Sequence, residues 1–124
     1  MAGCVVGIDI GTSGCKTIAL AYDGTILADA VRTYPLYQPQ AGWNEQDPED
    51  WYNGAVDCLR EVMAKLEGHR VLGVSFSGQM HGMAALDRAG VVVRRAILWN
   101  DQRTAKQCKA ITEAAGGLEG LLGF

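Results

Sequence analysis

Gly7-Ile8-Asp9-Ile10-Gly11-Thr12-Ser13-Gly14-Cys15-Lys16-Thr17 reads as a strand, a tight glycine turn and the start of a returning strand. Val5, Val6, Ile8 and Ile10 are apolar and favour β structure, so the first arm is expected to be buried. Lys16 to Tyr22 reads as the second arm. Glycines at 11 and 14 let the backbone turn tightly and let a ligand come close to it. Successive backbone N–H groups in such a turn can form an anion nest, to which Thr12 and Ser13 add hydroxyl donors. Asp9 is the odd residue in its arm. A buried carboxylate is costly unless something pairs with it, so a metal ion or a reacting hydroxyl at the turn is the expected partner.

The stretch lacks the spacing of a Walker A loop, G-x-x-x-x-G-K-[ST]. It also lacks G-x-G-x-x-G opening a helix, because Thr17 to Tyr22 is rich in β formers. A strand-turn-strand with an aspartate before the turn resembles the first phosphate loop of the actin-like ATPase superfamily, which includes sugar kinases. Taken alone, the stretch reads first as a β-hairpin with a glycine-rich turn.

The chain has 124 residues and a net charge of −3 with no basic run, which argues against nucleic acid or an anionic membrane as the main partner. No apolar run approaches the ~20 residues needed to span a bilayer. No basic region precedes the N-terminal apolar stretch, so no secretory signal is expected. Cys4, Cys15, Cys58 and Cys108 show no C-x-x-C spacing and no zinc-like clustering with His69 or His81. They read as reduced, semi-buried thiols of a cytoplasmic protein.

Asp23-Gly24 is a two-residue turn signal, and Thr25 to Tyr34 reads as a third strand with Ile26, Ala28 and Ala30 on one face. Pro35 to Gln46 reads as an irregular loop, in which Trp43 is a packing lid rather than a ligand platform. Asp47 caps a helix with Pro48 at its first position, and Trp51, Ala55, Cys58, Leu59, Val62 and Leu66 recur at helical spacing as a core face. Gly68 ends that helix, and His69 beside it reads as an exposed histidine with no special role. Arg70 to Phe76 is the next strand and, after a helical crossover, is expected parallel to the first. Met83 to Leu86 and Val91 to Leu98 read as a second hairpin around Asp87-Arg88-Ala89-Gly90. Asp101 is a candidate cap for a helix over Thr104 to Ala115, which Gly116-Gly117 ends, and the tail Leu118 to Phe124 is apolar.

Three polar clusters therefore fall at strand ends: Asp9 with the 11–16 turn, Gln79-Met80-His81, and Asn100-Asp101-Gln102-Arg103. Each has a structural alternative. His81 alone is more often a hydrogen-bonded core residue, Asp101 a cap, Arg103 a surface charge and Met80 core filler. In open α/β sheets, ligands bind outside the carboxyl ends of the strands, which places the clusters together. A polyol needs fixed donors and acceptors plus an apolar wall. Asp101 can accept, Arg103 and His81 can donate, and Trp99 or Met80 can supply the wall.

GIDIGTSGCK, GWNEQDP, GVSFSGQMHGMAALD and RRAILWNDQRT together resemble the N-terminal part of the FGGY carbohydrate kinase family, over nearly the whole chain and in the right order. The Met-His pair of SGQMHG points to the pentulose kinase branch, since relatives such as glycerol kinase carry a sequence resembling N-Q-R there. The resemblance implies an α/β, actin-like (ribonuclease H-like) fold, with a mixed sheet of antiparallel meander plus parallel strand and flanking helices. It implies transfer of the γ-phosphoryl group of ATP to the 5-hydroxyl of D-xylulose with Mg²⁺, in a cytoplasmic enzyme that is a homo-oligomer at full length. Carried over by position, Asp9 is the catalytic and metal-facing aspartate. Gly11, Thr12, Ser13 and Lys16 belong to the phosphate loop, and Met80, His81, Trp99, Asp101 and Arg103 belong to the sugar site. Family members are several times longer, so residues 1–124 are expected to be the N-terminal part of the first kinase domain, inactive alone, without the second domain, the general-base aspartate or the adenosine-binding glycines. A kinase for another ketopentose or polyol, and a non-catalytic sugar-binding module, are the alternatives.

Overall fold

The computed structural model describes residues 2–123. Ala2–Ile10 is β1, Gly14–Ala21 is β2 and Ile26–Thr33 is β3, joined as the antiparallel meander the turn signals predict. Glu45–Gln46 is a two-residue β4, and Pro48–Ala64 is the helix α1. His69–Gly78, β5, pairs in parallel with β1, so the sheet order is β3-β2-β1-β5.

Alternation along the strands puts Cys4, Val6 and Ile8 of β1, Cys15, Thr17 and Ala19 of β2, and Ala28 and Ala30 of β3 on one buried face. Cys58 and Val62 of α1 close that face, with Leu66 just past the helix end. Asp47 caps α1 as its sequence requires, its carboxylate accepting from the Glu49 N–H at 3.0 Å. The Sγ atoms of Cys15 and Cys58 lie 3.7 Å apart in this layer, and burial, more than the neighbouring thiol, pushes the Cys58 thiol up to about 11. Cys108 is exposed, unlike the other three cysteines.

Several expectations change. Asp9 is exposed, because α1 covers only the opposite face of the sheet; no burial penalty has to be offset there. Ile26 does not share the buried face of Ala28 and Ala30: the register slips between Ala19 and Leu20, so Ile26 pairs with Leu20 and is 59% exposed. The second hairpin shrinks to bridges at Leu86–Val92 and Met83–Ile97, while Ala96–Ile97, β6, pairs with β4 inside the loop that reads as irregular. Its turn survives, with Asp87 Oδ1 accepting from the N–H groups of Ala89 and Val91. The charges of the following segment draw it elsewhere: Arg94 pairs with Glu45 at 2.9 Å, and Arg95 lies 3.5 Å over the Tyr37 ring. Helix α2 runs Ala105–Ala114 from Thr104, not from an Asp101 cap, and left-handed Gly116 and Gly117 follow it. The apolar tail carries a short helix, α3, Leu118–Leu122; Phe124 lies outside the described residues. Among the described residues, no helix is long and apolar enough to cross a membrane.

Residues 42–46 and 98–103 are latched together. The Asn44 N–H donates to Asp101 Oδ2 at 2.7 Å, the Leu98 N–H to the Asn44 carbonyl at 3.0 Å, and the Gln102 N–H to the Gly42 carbonyl at 2.9 Å. Arg103 forks onto Asp101 at 2.7 Å, pairs with Glu45 at 2.8 Å and stacks 3.7 Å over the Trp43 ring. Trp43 is thus a packing platform, for an arginine. The guanidinium beside Asp101 holds its carboxyl far below the usual carboxylate range; burial opposes this, and the N–H groups of Arg103 and Asn44 add to it.

Replacing the cap, Asp47→Ala, should cost about 1 kcal/mol in urea unfolding. A carboxyl held low when folded stabilises the fold above its unfolded pKa, and that contribution is lost as pH falls below about 4. Urea midpoints followed from about pH 5 to pH 3 should therefore fall in the wild-type chain. Asp101→Asn should lower the midpoint at neutral pH and flatten the acid slope.

Candidate functional site

The turn between β1 and β2 is built around two close approaches. The Gly11 N–H donates to the Gly14 carbonyl at 3.0 Å, and a Cβ on Gly14 would lie 2.3 Å from the Arg32 carbonyl oxygen of the neighbouring strand. Only glycine fits at position 14. From the far end of β3, the Tyr34 hydroxyl donates to the Gly11 carbonyl. Burial, then the charges of Cys15 and Asp9, push that hydroxyl up to about 12, so it remains a donor across the ordinary pH range. Among the described residues, the backbone N–H groups of Thr12 and Ser13 donate to no protein acceptor. They are free to meet an anion.

Asp9 stands on the uncovered face at the carboxyl end of β1, with Lys16 opposite it across β2 and Ser77 beside it on β5. The Ser77 hydroxyl donates to Asp9 Oδ1 at 2.6 Å. Lys16 and Ser77 share with Asp9 a depression of about 280 Å³. Among the described residues, no three His, Cys, Asp or Glu side chains cluster as a metal cage. Mg²⁺ is commonly held by one or two carboxylates plus phosphate oxygens and waters, so one exposed aspartate beside an anion-accepting turn fits a phosphate-borne ion.

The carboxyl end of β5 lies against the same turn. The Gln79 N–H donates to the Ile10 carbonyl at 2.9 Å, prolonging the β1–β5 pairing past Gly78. His81 has φ +62°, the one left-handed non-glycine residue among those described, a conformation that costs free energy and sets the direction of its side chain. Met80 is 71% exposed and Trp99 57%, although both are large and apolar. The Trp99 indole donates to Thr12 Oγ1 at 3.2 Å and so reaches the turn from the far side of the latch.

Asp9, Gly11, Thr12, Met80, His81 and Trp99 thus line one open hollow of about 490 Å³, floored by Gly78 and Gln79. Ser13 is exposed on the turn, and Lys16 faces the adjoining depression. Asp101 and Arg103 are not brought into the hollow. The Asp101 side chain is 1% exposed and its oxygens are filled by Arg103 and Asn44, so the acceptor and donor assigned to a sugar are spent on the latch. Ser77, Gln79 and Gln46 complete the surroundings of the turn. Ser77 was open to sequence reasoning, because the parallel register sets Ser75 and Ser77 on the face of Gly7 and Asp9. Gln46 sits in a loop with no periodicity to read.

Residues 4–119 match the family model described as "FGGY family of carbohydrate kinases, N-terminal domain". The chain is 45% identical over 114 residues to the xylulose kinase of Bacillus subtilis, covering 90% of this chain and 23% of that protein. It is 41% identical over 114 residues to a xylulose kinase of Staphylococcus epidermidis, with the same coverage of 90% and 23%. The solved xylulose kinase of Rhodospirillum rubrum superposes with a TM-score of 0.82 at 30% identity, over 90% of this chain and 24% of that one. The chain therefore spans about a quarter of the length of the relatives it matches. A glycine turn after an aspartate-bearing strand, a Met-His pair beside it and a latched tryptophan segment are the parts of a known fold: the chain belongs to the FGGY family of carbohydrate kinases and has the actin-like architecture of their N-terminal domain.

Proposed function

We propose that this chain forms one wall of a D-xylulose kinase cleft, taking the ketose against Met80, His81 and Trp99 and the terminal phosphate of ATP against the 11–14 turn. The observation that carries the reading is the single hollow shared by an exposed aspartate, a turn with unpaired N–H groups and a histidine held beside an apolar wall. The xylulose kinase relatives support the choice of ketose.

Phosphoryl transfer asks a protein mainly for positioning and for charge stabilisation. The Thr12 and Ser13 N–H groups and the Lys16 ammonium can meet phosphate oxygens. Mg²⁺, when bound, would neutralise charge on the phosphates, and Asp9 is the side chain of this wall that would face it. Ser77 fixes one Asp9 oxygen, leaving Oδ2 toward the turn. His81 can hydrogen-bond a sugar hydroxyl, and Met80 and Trp99 can cover its apolar edge. Asp101 and Arg103 act behind the wall, holding the segment that carries Trp99.

Titrating D-xylulose into the labelled chain should move the Met80 methyl and Trp99 indole resonances. Half-saturation should be on the order of millimolar, because one open wall covers only part of the ligand. His81→Ala should weaken this response, and glycerol should produce a smaller one. Silence of both resonances, or equal affinity for glycerol, would refute the reading. In a kinase carrying this domain, Asp9→Ala should lower kcat by about 100-fold or more while the sugar KM changes less than about threefold; equal loss in both would contradict the role given to Asp9.

A further inference from the structure

The phosphate-side turn and the sugar-side loop are joined by a closed ring of three residues. The Thr12 hydroxyl donates to Gln79 Oε1 at 3.1 Å. Gln79 Nε2 donates to Gln46 Oε1 at 3.0 Å. Gln46 Nε2 returns the bond to the Thr12 carbonyl at 2.6 Å. Two indoles feed the ring from outside, Trp51 Nε1 into Gln46 Oε1 at 3.0 Å and Trp99 Nε1 into Thr12 Oγ1 at 3.2 Å. Thr12 belongs to the turn after β1, Gln79 to the loop after β5 and Gln46 to β4.

We propose that Gln46 is a positioning residue that couples the two halves of the hollow, so that ordering of the sugar loop by a ketose is transmitted to the phosphate turn. This rests on the reading of the hollow given above. Gln46 is 0% exposed, an unusual place for an amide, and its bonds fix which way it points. A carbonyl can only accept and an indole N–H can only donate, so Nε2 faces Thr12 and Oε1 faces Trp51. A carboxylate in its place would set oxygen against oxygen. The ring also uses the single Thr12 hydroxyl proton for Gln79. Thr12 therefore serves the phosphate through its backbone N–H and serves the sugar side through its hydroxyl. Hydrogen bonds that run head to tail polarise one another, so loss of one member weakens the rest.

The test uses the 124-residue chain by NMR, with Gln46→Met and Gln46→Glu. In ligand-free Gln46→Met, the Trp99 indole N–H should exchange about fivefold faster, although that N–H donates to Thr12 and not to Gln46. In Gln46→Glu, the Thr12 amide and Trp99 indole shifts should titrate and approach wild-type positions at the acid end, where the carboxyl regains a proton to donate. Adding D-xylulose to wild-type chain should move the Ser13 amide as well as the Met80 methyl. In Gln46→Met it should still move Met80 while the Ser13 response is lost. If both variants disturb only the Trp51 indole, Gln46 is a local anchor and the proposal falls. Should D-xylulose leave Met80 unmoved in the wild type, the sugar reading fails, and the ligand-free arms still decide whether the ring couples the loops. Where either variant unfolds, Trp51→Phe removes one bond to the same amide and leaves the side chains of Thr12 and Gln79 in place. It should still accelerate Trp99 exchange, and an unchanged rate overturns the coupling.

Discussion

The parallel pairing of β1 with β5 sets Asp9 beside Ser77 and Ile10 beside Gly78, and the rest of the site follows from that register. Parallel strands end at the same edge, so two loops far apart in sequence leave the sheet together. Glycine at 78 lets the strands stay close, since a Cβ there would lie 3.0 Å from the Ile10 carbonyl oxygen. A slip of β5 by one residue would turn Ser77 away from Asp9 to the helix-covered face and would shift Met80 and His81 relative to the turn.

Around this edge the molecule separates polar groups that hold from polar groups that remain available. Glu45, Asp101 and Arg103 satisfy one another almost completely, as buried charges must. Their effect on the hollow is indirect: they fix the backbone on either side of Trp99. Asp9, Lys16 and His81 are exposed and lightly bonded. The same residue types therefore have opposite parts to play, and the difference is set by how many neighbours already satisfy them.

Much of this was legible in the chain. The glycine turn, the Asp23-Gly24 turn, the Asp47-Pro48 helix start and the Gly116-Gly117 stop are local signals, and each stands where the sequence puts it. The crossover rule placed β5 parallel to β1, and that pairing gathered Asp9, Met80 and His81. What could not be read was non-local. β4 is two residues long, without a period, and it exists because Ala96–Ile97 arrives from fifty residues on to pair with it. The pull of Glu45 on Arg94 and Arg103 crosses the same gap, so neither the dissolved second hairpin nor the burial of Asp101 leaves a mark in the local pattern. The exposure of Asp9 depended on which face α1 would choose, and strand alternation leaves that choice open.

The placement of α1 has one more consequence. The helix lies on β2 and β3 and only grazes β1, leaving Phe76 on β5 69% exposed. Amides of β2 and β3 are sheltered by a packed layer, while those of β5 rely on a single neighbouring strand. Local opening is cheapest where little apolar surface must be uncovered. Among the described residues, the edge strand leading to the Met-His pair therefore has the least cover to lose on opening, whereas the aspartate strand is paired on both sides.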